Sequence, residues 1–164
     1  MIKTHLTSIQ VNSTPEVIWN HITNVNVENF DYPGYLRFLD IPKPLSATVT
    51  KEGVGGHRIA RFKNGSTFTQ EIVRWELHQA YAFKFNADPN FRVAYFFNLK
   101  KGPIIIRKGG YELDEKNGGI LLSLETTYEI VKARWFLNWL FPPVLKLFAN
   151  YLLRSIKKQC EDMN

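Results

Sequence analysis

Residues 120–130 alternate strictly in polarity. Ile120, Leu122, Leu124, Thr126, Tyr128 and Ile130 fall on one side of an extended chain; Leu121, Ser123, Glu125, Thr127 and Glu129 fall on the other. Successive side chains of a strand point to opposite faces. This pattern therefore predicts a strand with one dry face and one wet face, in an antiparallel sheet. The dry face needs a cover, and one long helical pattern can supply it. Leu145, Phe148, Leu152 and Ile156 recur at steps of three and four, joined by Val144, Tyr151 and Ser155. Lys146, Asn150, Arg154, Lys157 and Glu161 take the opposite side, so the helix is amphipathic with a broad apolar stripe. Pro142 and Pro143 disrupt any helix arriving from Arg134, so the main helix is expected to start at one of them.

The preceding chain fits the same plan. Ile2 to Val11 alternates as a strand. Ser13 or Thr14 can cap a helix with Pro15 at its first position, and Val17, Ile18, His21 and Ile22 follow at helical spacing. Residues about 24–31 are expected to form a second short helix, followed by a loop through Pro33, Gly34, Pro42 and Pro44. Strands are predicted around Leu45–Val49, His57–Lys63, Ser66–Glu76, Tyr81–Asn86 and Ile104–Asp114, with a weaker one at Val93–Asn98. Asn64-Gly65 is a strong hairpin signal because both residues tolerate positive φ. Gly109-Gly110 suggests a bulge or sharp bend. The fold class is α+β: a curved antiparallel sheet of about six to seven strands gripping a long C-terminal helix, with two short helices after the first strand.

With 164 residues and no repeat or linker, the expectation is a single domain, residues 1–164, that buries a core without staples. The one cysteine, Cys160, excludes a disulfide framework within the chain and any multi-cysteine metal site. The net charge of +6 is concentrated late. After residue 131, Lys132, Arg134, Lys146, Arg154, Lys157 and Lys158 face only Glu161 and Asp162. A solvated helix face accounts for most such runs. No groove-reading motif accompanies the charge, so nucleic-acid binding is not expected. No signal-peptide core or membrane-spanning stretch is apparent, which points to a cytoplasmic protein.

Ile9-Gln10-Val11-Asn12-Ser13-Thr14-Pro15-Glu16-Val17-Ile18-Trp19 resembles the opening of the START-like superfamily, the polyketide cyclase/dehydrase and lipid-transport proteins. Glu71-Ile72-Val73-Arg74-Trp75-Glu76 with Tyr81-Ala82-Phe83-Lys84-Phe85 resembles their central hairpin, and Gly109-Gly110-Tyr111-Glu112-Leu113 their penultimate strand. The resemblance covers nearly the whole chain. It implies the helix-grip fold, with a cavity between sheet and helix, and carries over no catalytic residues.

Candidate site residues follow from both arguments. Tyr81, Phe83 and Phe85 form one aromatic face, Leu122, Leu124 and Tyr128 another, and Phe148, Tyr151 and Leu152 the helix stripe opposite them. These nine are core residues first; as cavity lining they are also candidate ligand contacts. Glu71 is the chosen polar pocket residue, sharing by period two a face with Thr69, Val73 and Trp75, and Trp75 is a tenth apolar candidate contact. His5, His21, His57 and His78 have no metal-ligand spacing, and no metal or cofactor is expected. Lys157 and Lys158 can lower the Cys160 thiol pKa, but no His–Asn or His–Asp arrangement completes a nucleophile. Gly53-Val54-Gly55-Gly56 precedes no helix and reads as a turn, not a phosphate cradle. Trp135 and Trp139, flanked by Lys132, Arg134 and Lys146, have the make-up of an interfacial membrane anchor or a pocket lid.

The expected function is binding of a hydrophobic small molecule or lipid in the cavity. The alternative is a cyclase, dehydratase or hydrolase acting there on a polyketide-like or aromatic substrate, with Glu71, a histidine or a tyrosine as acid/base. The catalytic residues of that alternative are otherwise unassigned.

Overall fold

The computed structural model describes residues 1–87, 92–93, 97–98, 102–131 and 136–162. The chain opens with strand β1 (Ile2–Val11), helix α1 (Pro15–Thr23), strand β2 (Asn24–Asn26) and helix α2 (Gly34–Phe38). Five strands follow: β3 (Pro44–Lys51), β4 (His57–Phe62), β5 (Thr67–Glu76), β6 (Ala80–Ala87) and β7 (Arg92–Val93). Then come β8 (Phe97–Asn98), β9 (Ile104–Lys116), β10 (Gly119–Ile130) and the long helix α3 (Leu137–Asp162). Eight strands form one antiparallel sheet in the order β1-β10-β9-β6-β5-β4-β3-β2. β7 and β8 pair separately as a small ribbon.

The long elements form where the pattern demanded them. β10 lies between β1 and β9, with Ile120, Leu122, Leu124, Tyr128 and Ile130 buried. Thr14 caps α1 by accepting a hydrogen bond from the Val17 N–H, and Pro15 sits in the first turn. Gly65, at φ 84°, closes the β4–β5 hairpin, its N–H donating to the Phe62 carbonyl. α1 is fastened to the sheet by Trp19, whose ring meets Trp75 edge-on at 5.0 Å and Tyr81 at 5.6 Å. The Tyr81 hydroxyl donates to the carbonyl of Ile22 at the end of the same helix.

α3 has two unlike halves. In its C-terminal half Leu153, Ile156 and Cys160 are wholly buried. Lys157 reaches the Gln10 carbonyl of β1, and Glu161 accepts from the Asn12 N–H. In the N-terminal half Phe141, Val144, Leu145 and Phe148 are only partly buried, and they look onto open space above the sheet.

Four expectations change. The second helix lies at Gly34–Phe38, not near 24–31, because Asn24–Asn26 pairs with β3 as an edge strand while Leu36 anchors the helical turn. α3 starts at Leu137 and runs through Pro142 and Pro143. The prolines fall early in the helix, where their missing N–H groups leave only the Asn138 and Trp139 carbonyls without their usual partners. The bulge in β9 falls at Arg107, where the register with Thr127 and Tyr128 shifts, two residues before Gly109. The main sheet has eight strands, because three-residue β2 was too short to show a period.

Candidate functional site

Between the concave face of the sheet and the N-terminal half of α3 lies a cavity of about 440 Å³. Its floor is built from β4, β5, β6, β9 and β10, which contribute Ala60, Phe62, Phe68, Phe83, Phe85, Ile104, Ile106 and Leu124. Its roof is α3, from Leu137 through Phe141 and Phe148 to Leu152. Val25, Val27, Leu39, Ile41 and Pro42 close one side. Leu140 lines the cavity and is also 45% exposed, so it sits at the rim. Gly109 has a reason to be glycine. A Cβ there would lie 2.8 Å from Phe83 Cε2 and 3.0 Å from Phe85 Cε2, so these rings lie over β9 only because it is absent.

Among the described residues the wall has few polar groups: Ser46, Arg58, Gln70, Tyr111 and Thr126. Arg58 is the one charged side chain among them and is 5% exposed. It stands on β4 directly opposite Gln70 of β5, and its Nη1 donates to Gln70 Oε1 at 2.6 Å. The guanidinium carbon lies 4.4 Å from the centre of the Phe83 ring and 5.9 Å from that of Tyr111. Nε is buried without an acceptor. Among the described residues, no carboxylate lies within salt-bridge distance of it. Burial pushes the Tyr81 and Tyr111 phenols up, against the pull of the nearby Arg58 charge, so neither becomes its counter-ion at neutral pH.

Burying a cation costs on the order of several kcal/mol. A charge-assisted hydrogen bond returns about 1.5–3 kcal/mol, and a desolvated cation–π contact about 2 kcal/mol. Arg58 is therefore held in place but not neutralised.

Of the sequence-derived candidates, Phe83, Phe85, Leu124, Phe148 and Leu152 line the cavity. The others do not. Tyr81 is spent on Ile22 and on the Trp19–Trp75 cluster. Leu122 is wholly buried core. Tyr128 backs the wall, its ring 4.9 Å from that of Phe141. Tyr151 turns sideways, donating to the Phe30 carbonyl at 3.3 Å and packing on Tyr32.

Glu71 must be corrected. It is exposed and pairs across the strands with His57 and Lys84, both exposed too. The inward face of β5 carries Phe68 and Gln70 instead. The register with β6 shifts between Ile72 and Arg74, so Val73 is an extra residue and Trp75 changes sides relative to Glu71. Strict period two across that bulge grouped Glu71 with Trp75, and the grouping fails there.

None of the four histidines lines the cavity. Burial pushes the Cys160 thiol up to about 11, opposite to the shift a nucleophile needs. Among the described residues, no group of three His, Cys, Asp or Glu side chains could hold a metal ion. No described helix is long and apolar enough to cross a membrane. Trp139 is 61% exposed; Trp135, Lys132 and Arg134 lie outside the described residues.

Arg58, Gln70 and Tyr111 were missed by the sequence reading. For Arg58 a signal existed: it shares strand parity with Ala60 and Phe62, while His57, Ile59 and Arg61 take the other face.

An eight-stranded antiparallel sheet gripping a C-terminal helix over a cavity is the START/Bet v1-like helix-grip fold, and the chain has that fold. Solved structures agree over almost its full length. It is similar to Ara h 8.0201, with 14% identity, 99% of each chain covered and a TM-score of 0.62. It is similar to the Zhui aromatase/cyclase from Streptomyces sp. R1128, with 12% identity, 98% of this chain and 94% of that one covered, and a TM-score of 0.59. It is also similar to norcoclaurine synthase from Thalictrum flavum, solved with dopamine and hydroxybenzaldehyde, with 12% identity, 100% and 89% covered, and a TM-score of 0.58. No protein-family model and no curated protein sequence matches the chain.

Proposed function

We propose that the protein binds a hydrophobic small molecule or lipid in the cavity under α3 and shields it from water. The observation that carries this reading is the cavity itself, about 440 Å³ walled almost entirely by aliphatic and aromatic side chains. That size and lining suit a small-molecule site. Apolar area removed from water contributes roughly 25 cal/mol per Å² before ordering costs. Fold neighbours include a protein solved with small aromatic molecules and an aromatase/cyclase, which supports a cavity of this kind without naming its occupant. Of the acid/base groups of the enzyme alternative, Glu71 and the histidines lie off the cavity wall; a tyrosine, Tyr111, lines it, but burial raises its pKa and keeps the phenol protonated, which favours binding.

Val144→Trp tests it. Val144 lies on the cavity side of the half of α3 that stands off the sheet, so an indole there occupies the space without displacing the anchored half. Affinity for the neutral fluorescent probe N-phenylnaphthylamine is expected to fall at least about tenfold, with circular dichroism unchanged. Unchanged probe affinity in a folded variant would mean that the cavity is not the binding site. Native mass spectrometry of protein from its own host would then identify the natural occupant by mass.

Collection of the ligand at a membrane surface belongs to the same proposal. Leu140 is exposed at the rim and Trp139 is exposed beside it in sequence, with Lys146 further along the same half of α3. Basic side chains near an anionic surface contribute about 1 kcal/mol each. Wild-type protein is expected to co-sediment with anionic liposomes at low salt, and Trp139→Ala to weaken this several-fold. If the wild type ignores such liposomes, the membrane route is wrong.

A further inference from the structure

We propose that the ligand is an amphiphile whose head is a monoanionic oxygen group of the carboxylate class, seated against Arg58. The proposal rests on reading the cavity as a binding site, and it adds which chemistry the site selects.

Three observations carry it. First, Arg58 is 95% buried and lines the cavity, yet no described carboxylate is paired with it. Second, the guanidinium meets only neutral partners among the described residues: Gln70 Oε1 accepts from Nη1, the Tyr81 and Tyr111 hydroxyls lie beside it, and Nε meets no acceptor. Third, the group is fixed in direction. Gln70 holds one end of the fork, and the Phe83 ring lies 4.4 Å from the guanidinium carbon. A buried charge is stable when paired and costly when alone. Tyr81 and Tyr111, the phenols near it, are neutral at neutral pH and cannot pair with it as anions. With no anionic partner among the described residues, the balancing negative charge comes with the ligand.

Charge matching sets the class. Among the described residues Arg58 is the only charged side chain on the wall, so it offers one positive charge and a monoanion balances it. Carboxylate oxygens match the guanidinium fork, and charge-assisted hydrogen bonds of this kind are about twice as strong as neutral ones. The apolar remainder of the wall takes the hydrocarbon or aromatic body.

The test compares a naphthylacetic acid with its primary amide, the same shape without the charge. Each displaces N-phenylnaphthylamine from the wild type, from Arg58→Met and from Arg58→Lys at neutral pH. The wild type is expected to prefer the acid by about tenfold or more. Arg58→Met should treat acid and amide alike within about twofold, whatever its affinity for the neutral probe. Arg58→Lys, which keeps the charge but not the fork, should retain part of the preference. Equal binding of acid and amide by the wild type overturns the proposal while the probe still binds, and so does a preference that survives in Arg58→Met. The wild-type comparison decides the matter even if Arg58→Met does not fold. If neither the probe nor either naphthyl compound binds the wild type, the reading of the cavity itself fails.

Discussion

Trp19→Ala is expected to cost about 3–5 kcal/mol of stability, the range for truncating a buried aromatic side chain. Trp19 is 4% exposed and sits at the meeting point of α1, β5 and β6. It touches Trp75 and Tyr81, and the His78 ring approaches its edge at 6.0 Å. Removing the indole leaves these rings facing a void, and α1 loses its largest hold on the sheet. The Tyr81 hydroxyl still ties to Ile22, so the helix is loosened and not released. Guanidinium unfolding followed by far-ultraviolet circular dichroism measures the loss. A cost under about 1 kcal/mol would show that the ring cluster does not hold α1 in place.

Gly56→Ala is the second large effect, and it arises from backbone geometry. A Cβ on Gly56 would sit 1.9 Å from the Lys51 carbonyl oxygen and 2.8 Å from that of Gly53. Both are backbone atoms, so no side chain can swing aside. The Gly56 N–H donates to Gly53 O, and Gly56 O accepts from the Ile72 N–H, so opening the turn strains two hydrogen bonds that set the start of β4. The expected cost is about 3 kcal/mol, the upper end of what overpacking produces. Gly34→Ala is the control, since nothing lies within 4 Å of its added Cβ; it should change stability by less than about 0.5 kcal/mol. Arg58 stands two residues after Gly56, so the strained variant should also weaken the preference for an acid over its amide. Similar melting temperatures for Gly56→Ala and Gly34→Ala would overturn the argument.

The sequence exposed the parts of the fold governed by long, unbroken periods. β10 shows its dry face over eleven residues, α3 its stripe over three turns, and Asn64-Gly65 its turn in two letters. Short or interrupted elements stayed hidden. β2 has three residues and α2 five, too few for a period to register. One extra residue at Val73 put Trp75 on the opposite face from Glu71 in a strand whose alternation looked continuous. The apolar candidates divided evenly, since Phe83, Phe85, Leu124, Phe148 and Leu152 line the cavity while Tyr81, Leu122, Tyr128, Tyr151 and Trp75 do not. Hydrophobicity alone does not separate a residue packed against protein from one facing a void. The polar residues escaped for another reason. A charged letter in a strand reads as solvent-facing, and only the Ala60 and Phe62 parity beside Arg58 contradicts that reading.

The two halves of α3 put different demands on different residues. Leu153, Ile156 and Cys160 in one half, with Trp19, Trp75 and Tyr81 below, hold the architecture together. Val144, Leu145 and Phe148 in the other half border empty volume and are only partly enclosed. A substitution in the first group disturbs close-packed neighbours. One in the second reshapes the space, with fewer neighbours to disturb. If the cavity binds as proposed, selectivity can therefore drift through the N-terminal half of one helix while the scaffold stays constant. A lineage built on this chassis could exchange one guest for another in single mutational steps, each leaving a foldable protein.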